Sequence, residues 1–446
     1  MRNRRIFGWA AALSLIMIGG LWAQDLKFDG YINSGLGFAA DDIEGSRAYF
    51  KAFGVDGESN GYRFRLNGSY TNEEKTAGAR LRLQSQRNLT IPVRVSGTDI
   101  NDDPLTIPNA TTTYGYFSLA YAYGWVSFLN NMFTLTGGIV DDSTWQTADW
   151  WFNDDTGEGL GLLLKAAPID GLNLGIGVYT ISQQSGGSNN ILTFGGNLPN
   201  FGNIMPNTDQ IKYNFNASYT MPDTFRFGIS FRPQNTAAWV SASPDDNYAY
   251  SGNYECCELI AELRVLAVKN LTAVVAGVFD YLDDFSKKGN IILSETFGYK
   301  ADSLNLGLNA VQFLYNRTDA SDNKIDYNPG ILLNPWVSYT FDKIIPRLDL
   351  VYFMGGRSKM SSGANQWERR GFVNVAAKTD DKKDLSVFSI RPSIKLNIDS
   401  KTFVEIGDMI NFDTANYDAY ESKAGGSKDT DSRLTNVFYI DIKWSF

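Results

Sequence analysis

Histidine is absent from all 446 residues, which removes imidazole acid–base chemistry, Ser-His and Cys-His nucleophile activation and the common zinc sites. Cysteine is nearly absent as well. Cys256 and Cys257 are adjacent, so in a strand they point to opposite faces; they read as ordinary strand residues, with a strained vicinal disulfide as the alternative. The formal charge is −9 and no Lys/Arg-rich run occurs, which argues against a nucleic-acid partner. No Pro/Ser/Gly-rich linker divides the chain. Beyond the first 23 residues, no apolar run approaches the roughly 18 residues that a transmembrane helix needs. With helical spans excluded, a closed barrel is the one backbone arrangement that satisfies every peptide group within lipid.

What is present begins with a leader. Arg2, Arg4 and Arg5 precede the apolar run Ile6 to Gly20, and Leu21-Trp22-Ala23 places a small residue before a cut, the pattern of a secretory signal peptide over residues 1–23. The remainder, 24–446, is expected to form a single domain starting at Gln24. Loss of the three leader arginines takes the formal charge from −9 to −12.

Aromatic residues make up 14% of the chain, and period-two alternation recurs along it. Leu26, Phe28, Ile32, Leu36 and Phe38 share one side of the first segment, with Lys27, Asp29, Tyr31 and Asn33 on the other. Tyr62, Phe64, Leu66 and Tyr70 alternate with Arg63, Arg65, Asn67 and Ser69, and after a turn Ala79, Leu81 and Leu83 alternate with Arg80, Arg82 and Gln84. Phe225, Phe227, Ile229 and Phe231 alternate with Arg226, Ser230 and Arg232; Phe388, Ile390, Ile394 and Leu396 alternate with Ser389, Arg391, Ser393 and Lys395. At the C-terminus Phe438, Ile440, Ile442, Trp444 and Phe446 fall on one parity and Tyr439, Asp441, Lys443 and Ser445 on the other.

Connections alternate between short and long. Short ones fall at Asn72 to Thr76, Asn130-Asn131, Pro168 to Gly171, Pro222-Asp223, Lys269-Asn270, Ala301 to Ser303, Asp342 to Pro346 and Asp399-Ser400, with long polar stretches between them. Tight turns on one side of a membrane and loops on the other produce this rhythm. The expected fold is therefore all-β: a transmembrane antiparallel up-and-down β-barrel of about 18 strands, with Ala48 to Asp56 assigned to the first long loop. Sixteen strands result if two weak segments are loop, and twenty if Ala48 to Asp56 and another segment join the wall. Both chain ends then lie at the short-turn end. In a soluble sandwich the apolar face would turn inward, but the arginine-bearing faces need water, which a wide lumen supplies while lipid takes the apolar face.

A terminal strand closing on Trp-Ser-Phe resembles the C-terminal assembly signal of outer-membrane barrels, and the mature chain as a pattern resembles the bacterial outer-membrane porin family. That resemblance implies a water-filled diffusion channel in the outer membrane of a Gram-negative-type (diderm) bacterium, with short periplasmic turns and long external loops. It also implies recognition of Phe438, Ile440, Ile442, Trp444 and Phe446 by the barrel-assembly machinery, and a homotrimer as the common assembly.

Arg63, Arg65, Arg80 and Arg82 belong to neighbouring strands and are expected to make a fixed positive strip on the lumen wall, joined by Arg226, Arg232, Arg391 and Lys395; guanidinium groups keep their charge at any relevant pH. A solvated wall with arginines serving solubility is the alternative. The connection Asp141 to Gly159 carries Asp141, Asp142, Asp149, Asp154, Asp155 and Glu158 with Trp145, Trp150, Trp151 and Phe152. Folded into the lumen, its carboxylates would face the strip at a constriction, the arrangement the resemblance suggests; its tryptophans could instead stack on sugar rings, or the segment could stay external. The Asp-rich stretch Asp99 to Asp103 lacks EF-hand spacing, so no metal site is assigned.

Passive diffusion of small hydrophilic solutes and ions is thus the expected function. A channel specific for oligosaccharides or anions and a surface adhesin or structural barrel are the alternatives. No enzyme activity and no cofactor are expected, since the enzymatic barrels of this membrane lean on histidine. The expected partners are outer-membrane lipid, small solutes and ions.

Overall fold

A period-two chain must put its two faces into two different media, and closing the sheet on itself creates those media. The computed structural model describes residues 26–41, 45–49, 63–85, 117–140, 159–180, 193–194, 211–236, 255–280, 282, 285–315, 330–355, 385–414 and 433–446. The leader expected over residues 1–23 lies outside these residues. β1 (Lys27–Asp41) opens the wall and is followed by paired strands: β2 (Arg63–Thr71) with β3 (Ala77–Ser85), β4 (Phe117–Phe128) with β5 (Phe133–Val140), β6 (Gly159–Ile169) with β7 (Leu172–Thr180), and β8 (Ile211–Met221) with β9 (Phe225–Thr236). Then come β10 (Glu255–Val265) with β11 (Leu271–Asp280), β12 (Asn290–Ala301) with β13 (Leu304–Tyr315), β14 (Gly330–Tyr339) with β15 (Ile344–Gly355), and β16 (Leu385–Asn397) with β17 (Thr402–Thr414); β18 (Arg433–Ser445) ends the wall.

Every neighbouring pair is antiparallel, and the seam closes from Tyr31↔Ser445 to Asp41↔Thr435 between β1 and β18. The wall therefore has 18 strands and no free edge, which disposes of the unpaired backbone groups that an open sheet would expose to lipid. Two short segments pair with it without widening it. Gly45–Tyr49 folds back on Gly37 to Asp41 of β1, and Thr193–Phe194 lies against Phe117-Ser118 of β4. This settles the strand count at eighteen: Ala48 and Tyr49 are hydrogen-bonded to β1, but as a flap on one end of it. The connection between β11 and β12 also holds a single helical turn, Phe285–Lys288. Cys256 and Cys257 both lie in β10, and the side chain of Cys256 is outside the description.

Eight connections are tight, at the positions the sequence indicated. Four of them turn on a single Asp or Asn residue that tolerates the left-handed region: φ is 54° at Asp223, 65° at Asn270, 47° at Asp302 and 51° at Asp342. In the β16–β17 turn the Asp399 carboxylate accepts the Lys401 and Thr402 amides at 2.7 and 2.8 Å. The Lys401 amide is the largest cause of a carboxyl held below its ordinary range. A depressed folded-state value contributes stability above the unfolded pKa and loses it as pH falls through the folded one. Asp399→Ala should therefore lower the urea midpoint at pH 7, and by less as the pH falls below the usual carboxylate value of about 4.

Large apolar side chains are exposed around the whole outer wall, including Ile176, Phe227, Val275, Leu306, Ile394 and Phe438. Their inward neighbours on the last strand, Val437, Tyr439 and Asp441, are 2%, 2% and 0% exposed. Apolar outside and polar inside is the inverse of a soluble domain and suits a hydrocarbon surround. Tyr219, Tyr299, Tyr339, Trp444 and Phe446 stand outward near the short-turn end, where amphipathic rings suit the lipid–water boundary.

Candidate functional site

Alternation sends Arg65 of β2 and Arg80 and Arg82 of β3 to the inner wall, where the register sets Arg65 across from Gln84, Asn67 across from Arg82 and Ser69 across from Arg80. The Arg82 Nε donates to Asn67 Oδ1 at 2.9 Å, and Asn67 donates to Asp29 Oδ1 at 2.5 Å. The guanidinium of Arg82 also lies 4.6 Å from the ring centre of Tyr121 on β4, and that of Arg65 lies 5.3 Å from Tyr31 on β1. None of Arg65, Arg80 and Arg82 has an ion-pair partner among the described residues. Arg63 lies in β2, but its side chain is outside the description.

The aromatic and cationic series continues across the seam. The Lys443 ammonium of β18 stands 4.7 Å from the other neighbour of Arg65, the Tyr31 ring, and 6.0 Å from Phe403 of β17. Lys395 of β16 lies 3.9 Å from that same Phe403 ring. Arg82, Arg65, Lys443 and Lys395 thus form an arc on the inner wall, with Tyr31 between Arg65 and Lys443, Phe403 between Lys443 and Lys395, and Tyr121 on the far side of Arg82. A ring face attracts a cation and holds it without neutralising it.

The other inner walls treat their cations differently. Arg232 is bonded to Glu258 at 3.2 Å, with both side chains 1% exposed. Arg226 faces Arg264 directly across the β9–β10 pair, and Arg264 reaches Glu262 at 3.5 Å. Arg391 is directly across from Asp349, both of them buried. Arg347 grips that same Asp349 through two bonds of 2.6 and 2.7 Å, a charge-assisted fork. Asn309, Asn334 and Asp349 continue in a hydrogen-bonded chain, and Tyr439 donates to Glu405 at 2.9 Å. Glu258→Leu, which removes a carboxylate from a fully shielded guanidinium, should cost about 3–5 kcal/mol in unfolding free energy, measured by urea denaturation in lipid.

Of the basic residues picked out in the sequence, Arg65, Arg80 and Arg82 share one wall, and Lys395 extends it through the rings. Arg226, Arg232 and Arg391 lie on the walls that also carry carboxylates, and so does Lys395, which stands directly across from Glu405. Asp141, Asp142, Trp145, Asp149, Trp150, Trp151, Asp154, Asp155 and Glu158 are outside the described residues. Phe438, Trp444 and Phe446 project outward from the strand that closes the barrel, with Ile440 and Ile442 on the same parity. Tyr31, Tyr121, Phe403 and Lys443 were not singled out in the sequence. Their parity was readable, but their approach to the arginines depends on cross-strand register.

No protein-family model and no curated protein sequence matches the chain. Among solved structures, OccK9 (OpdG) of Pseudomonas aeruginosa aligns over 95% of this chain and 99% of its own at 10% identity, with a TM-score of 0.51. The chain has the outer-membrane porin fold. A BenF-like porin from Pseudomonas fluorescens covers the same 95% of this chain and all 100% of its own at 9% identity and a TM-score of 0.49. OccK2 (OpdF) of Pseudomonas aeruginosa does so at 12% identity over 95% and 99% of the two chains, with a TM-score of 0.49. At these identities the porin likeness is one of fold, and what the interior can do chemically rests on the inner wall.

Proposed function

We propose that this protein is a passive outer-membrane channel for small hydrophilic solutes, with a lumen that favours anions. The observation that carries this is the asymmetry of the inner wall. On β2 and β3 three guanidiniums stand without ion-pair partners among the described residues, while on β9–β10 and β15 the arginines Arg232, Arg264 and Arg347 are salt-bridged. A fixed positive strip in a narrow aqueous passage raises local anion concentration. Several weak sites in series let an anion enter and still leave.

The interleaved rings favour an anion-specific variant of the same channel over an oligosaccharide path. A carboxylate or phosphate could pass from Arg82 towards Lys443 while Tyr121, Tyr31 and Phe403 hold the cations in place. The tryptophans on which a sugar path would rest lie in the 141–158 connection, outside the described residues.

Single-channel recording of the refolded protein in a planar bilayer tests this, first in salt alone and then with neutral sugars and small anions. Stepwise, salt-proportional conductance with an anion-selective reversal potential is expected. Saturable block by anions and not by sugars marks the anion-specific form. Inserted but silent protein overturns the channel and leaves the adhesin or structural barrel.

A further inference from the structure

Among the described residues, the outer wall carries a feature on β12 that neither lipid nor conduction explains. The outward series on β12 reads Ile291, Leu293, Glu295, Phe297 and Tyr299, which puts a carboxylate at the centre of a strand's lipid-facing side. Glu295 accepts a hydrogen bond at 3.2 Å from Gln312, an outward residue of the neighbouring β13, and its second oxygen has no partner among the described residues. Exposed Val275, Phe297 and Leu333 stand around the pair. Hydrocarbon offers a carboxylate no donor, and acidic groups near the middle of this face are unfavourable.

We propose that the β12–β13 face docks a second copy of this chain through a two-fold contact. Both copies enter the membrane in the same direction, so the axis relating them runs along the barrel. Set between β12 and β13, that axis places each copy's β12 against its partner's β13 at one height. Glu295 then meets the partner's Gln312, and Gln312 meets the partner's Glu295, which is the self-complementarity an isologous interface needs. The wall is also low here. Ala310 lies directly across from Glu295 on one side, and Ala273 and Gly277 flank Val275, the residue across from it on the other, so two sheets can approach closely.

In a second outward polar pair Asp408 accepts from Asn436 at 2.8 Å, and directly across from Asp408 stands Phe438 where Glu295 has Ala310. The two-fold contact requires only a membrane-inserted barrel, so silence in conductance recordings would leave it standing. It differs from the three-fold assembly that the porin resemblance implies.

The test is disulfide trapping in lipid vesicles. With Cys256→Ser and Cys257→Ser as background, Ala310→Cys beside the axis should give a covalent dimer under mild oxidant, and Phe64→Cys on the distant β2 should not. Adding Glu295→Leu and Gln312→Leu should cut the trapped yield by about tenfold, the loss of interfacial hydrogen bonds, while the unboiled barrel keeps its folded gel mobility. Equal trapping from Ala310→Cys and Phe64→Cys, trapping unaffected by the two leucines, or a native mass of three chains would each overturn the proposal.

Discussion

Replacing Arg65, Arg80 and Arg82 together with serine should turn the reversal potential under a tenfold salt gradient towards cations by tens of millivolts, within the full span of about 59 mV per unit charge. The direction follows from what remains. Once the strip is gone, the inner wall still carries Asp29 and the carboxylates of the β10, β15, β17 and β18 strands, and the Arg65, Arg80 and Arg82 charges no longer oppose their field. Arg80, exposed and without an ion-pair partner among the described residues, should give the largest selectivity change for the least structural disturbance. Arg82→Ser removes in addition the Asn67 bond and the approach to the Tyr121 ring. The matched control is Arg232→Ser, which removes the same formal charge from a shielded pair with Glu258; it should lower stability and barely move the potential. A triple variant with unchanged reversal potential would take the strip out of the mechanism.

Gly30→Val should abolish the folded barrel. Gly30 sits at the seam, where its amide donates to the Phe446 carbonyl at 3.2 Å and its carbonyl accepts from the Phe446 amide at 3.0 Å. A Cβ there would overlap the Arg65 carbonyl oxygen and come within 2.8 Å of the Phe446 ring. Backbone on one side and the terminal ring on the other leave no direction in which the side chain can escape. The loss falls on the β1–β18 closure, without which two strand edges lie open in lipid. Gly124→Ala is the control, since a Cβ there meets only the Gly78 carbonyl at 3.6 Å, an ordinary contact. Gel mobility of unboiled samples and far-ultraviolet circular dichroism separate the outcomes, and a Gly30→Val protein that folds in normal yield would show that the seam can shift to admit it.

Most of the fold was legible in the chain because it is written locally. Phe438, Ile440, Ile442, Trp444 and Phe446 announce an outward face through parity alone, and Asp223, Asn270, Asp302 and Asp342 mark tight turns through the conformations that short polar side chains tolerate. The site was legible only in part. Arg82 and Arg232 occur in the same sequence grammar, an arginine between apolar neighbours on an alternating strand. One ends 4.6 Å from a tyrosine ring centre with no ion-pair partner among the described residues, and the other is locked to Glu258 at 3.2 Å. Nothing within either strand distinguishes them.

The sequence by itself therefore determined the strands, their two faces, the alternation of tight and long connections and the chemistry each face offers, because a period of two is a property of consecutive residues. Tertiary structure alone decided the number of strands in the wall, the separation of Gly45–Tyr49 from it, and which cation meets a carboxylate and which meets a ring. Those outcomes depend on the register between strands that can be hundreds of residues apart. A shift of one residue in a single pairing would send every side chain of that strand to the opposite medium.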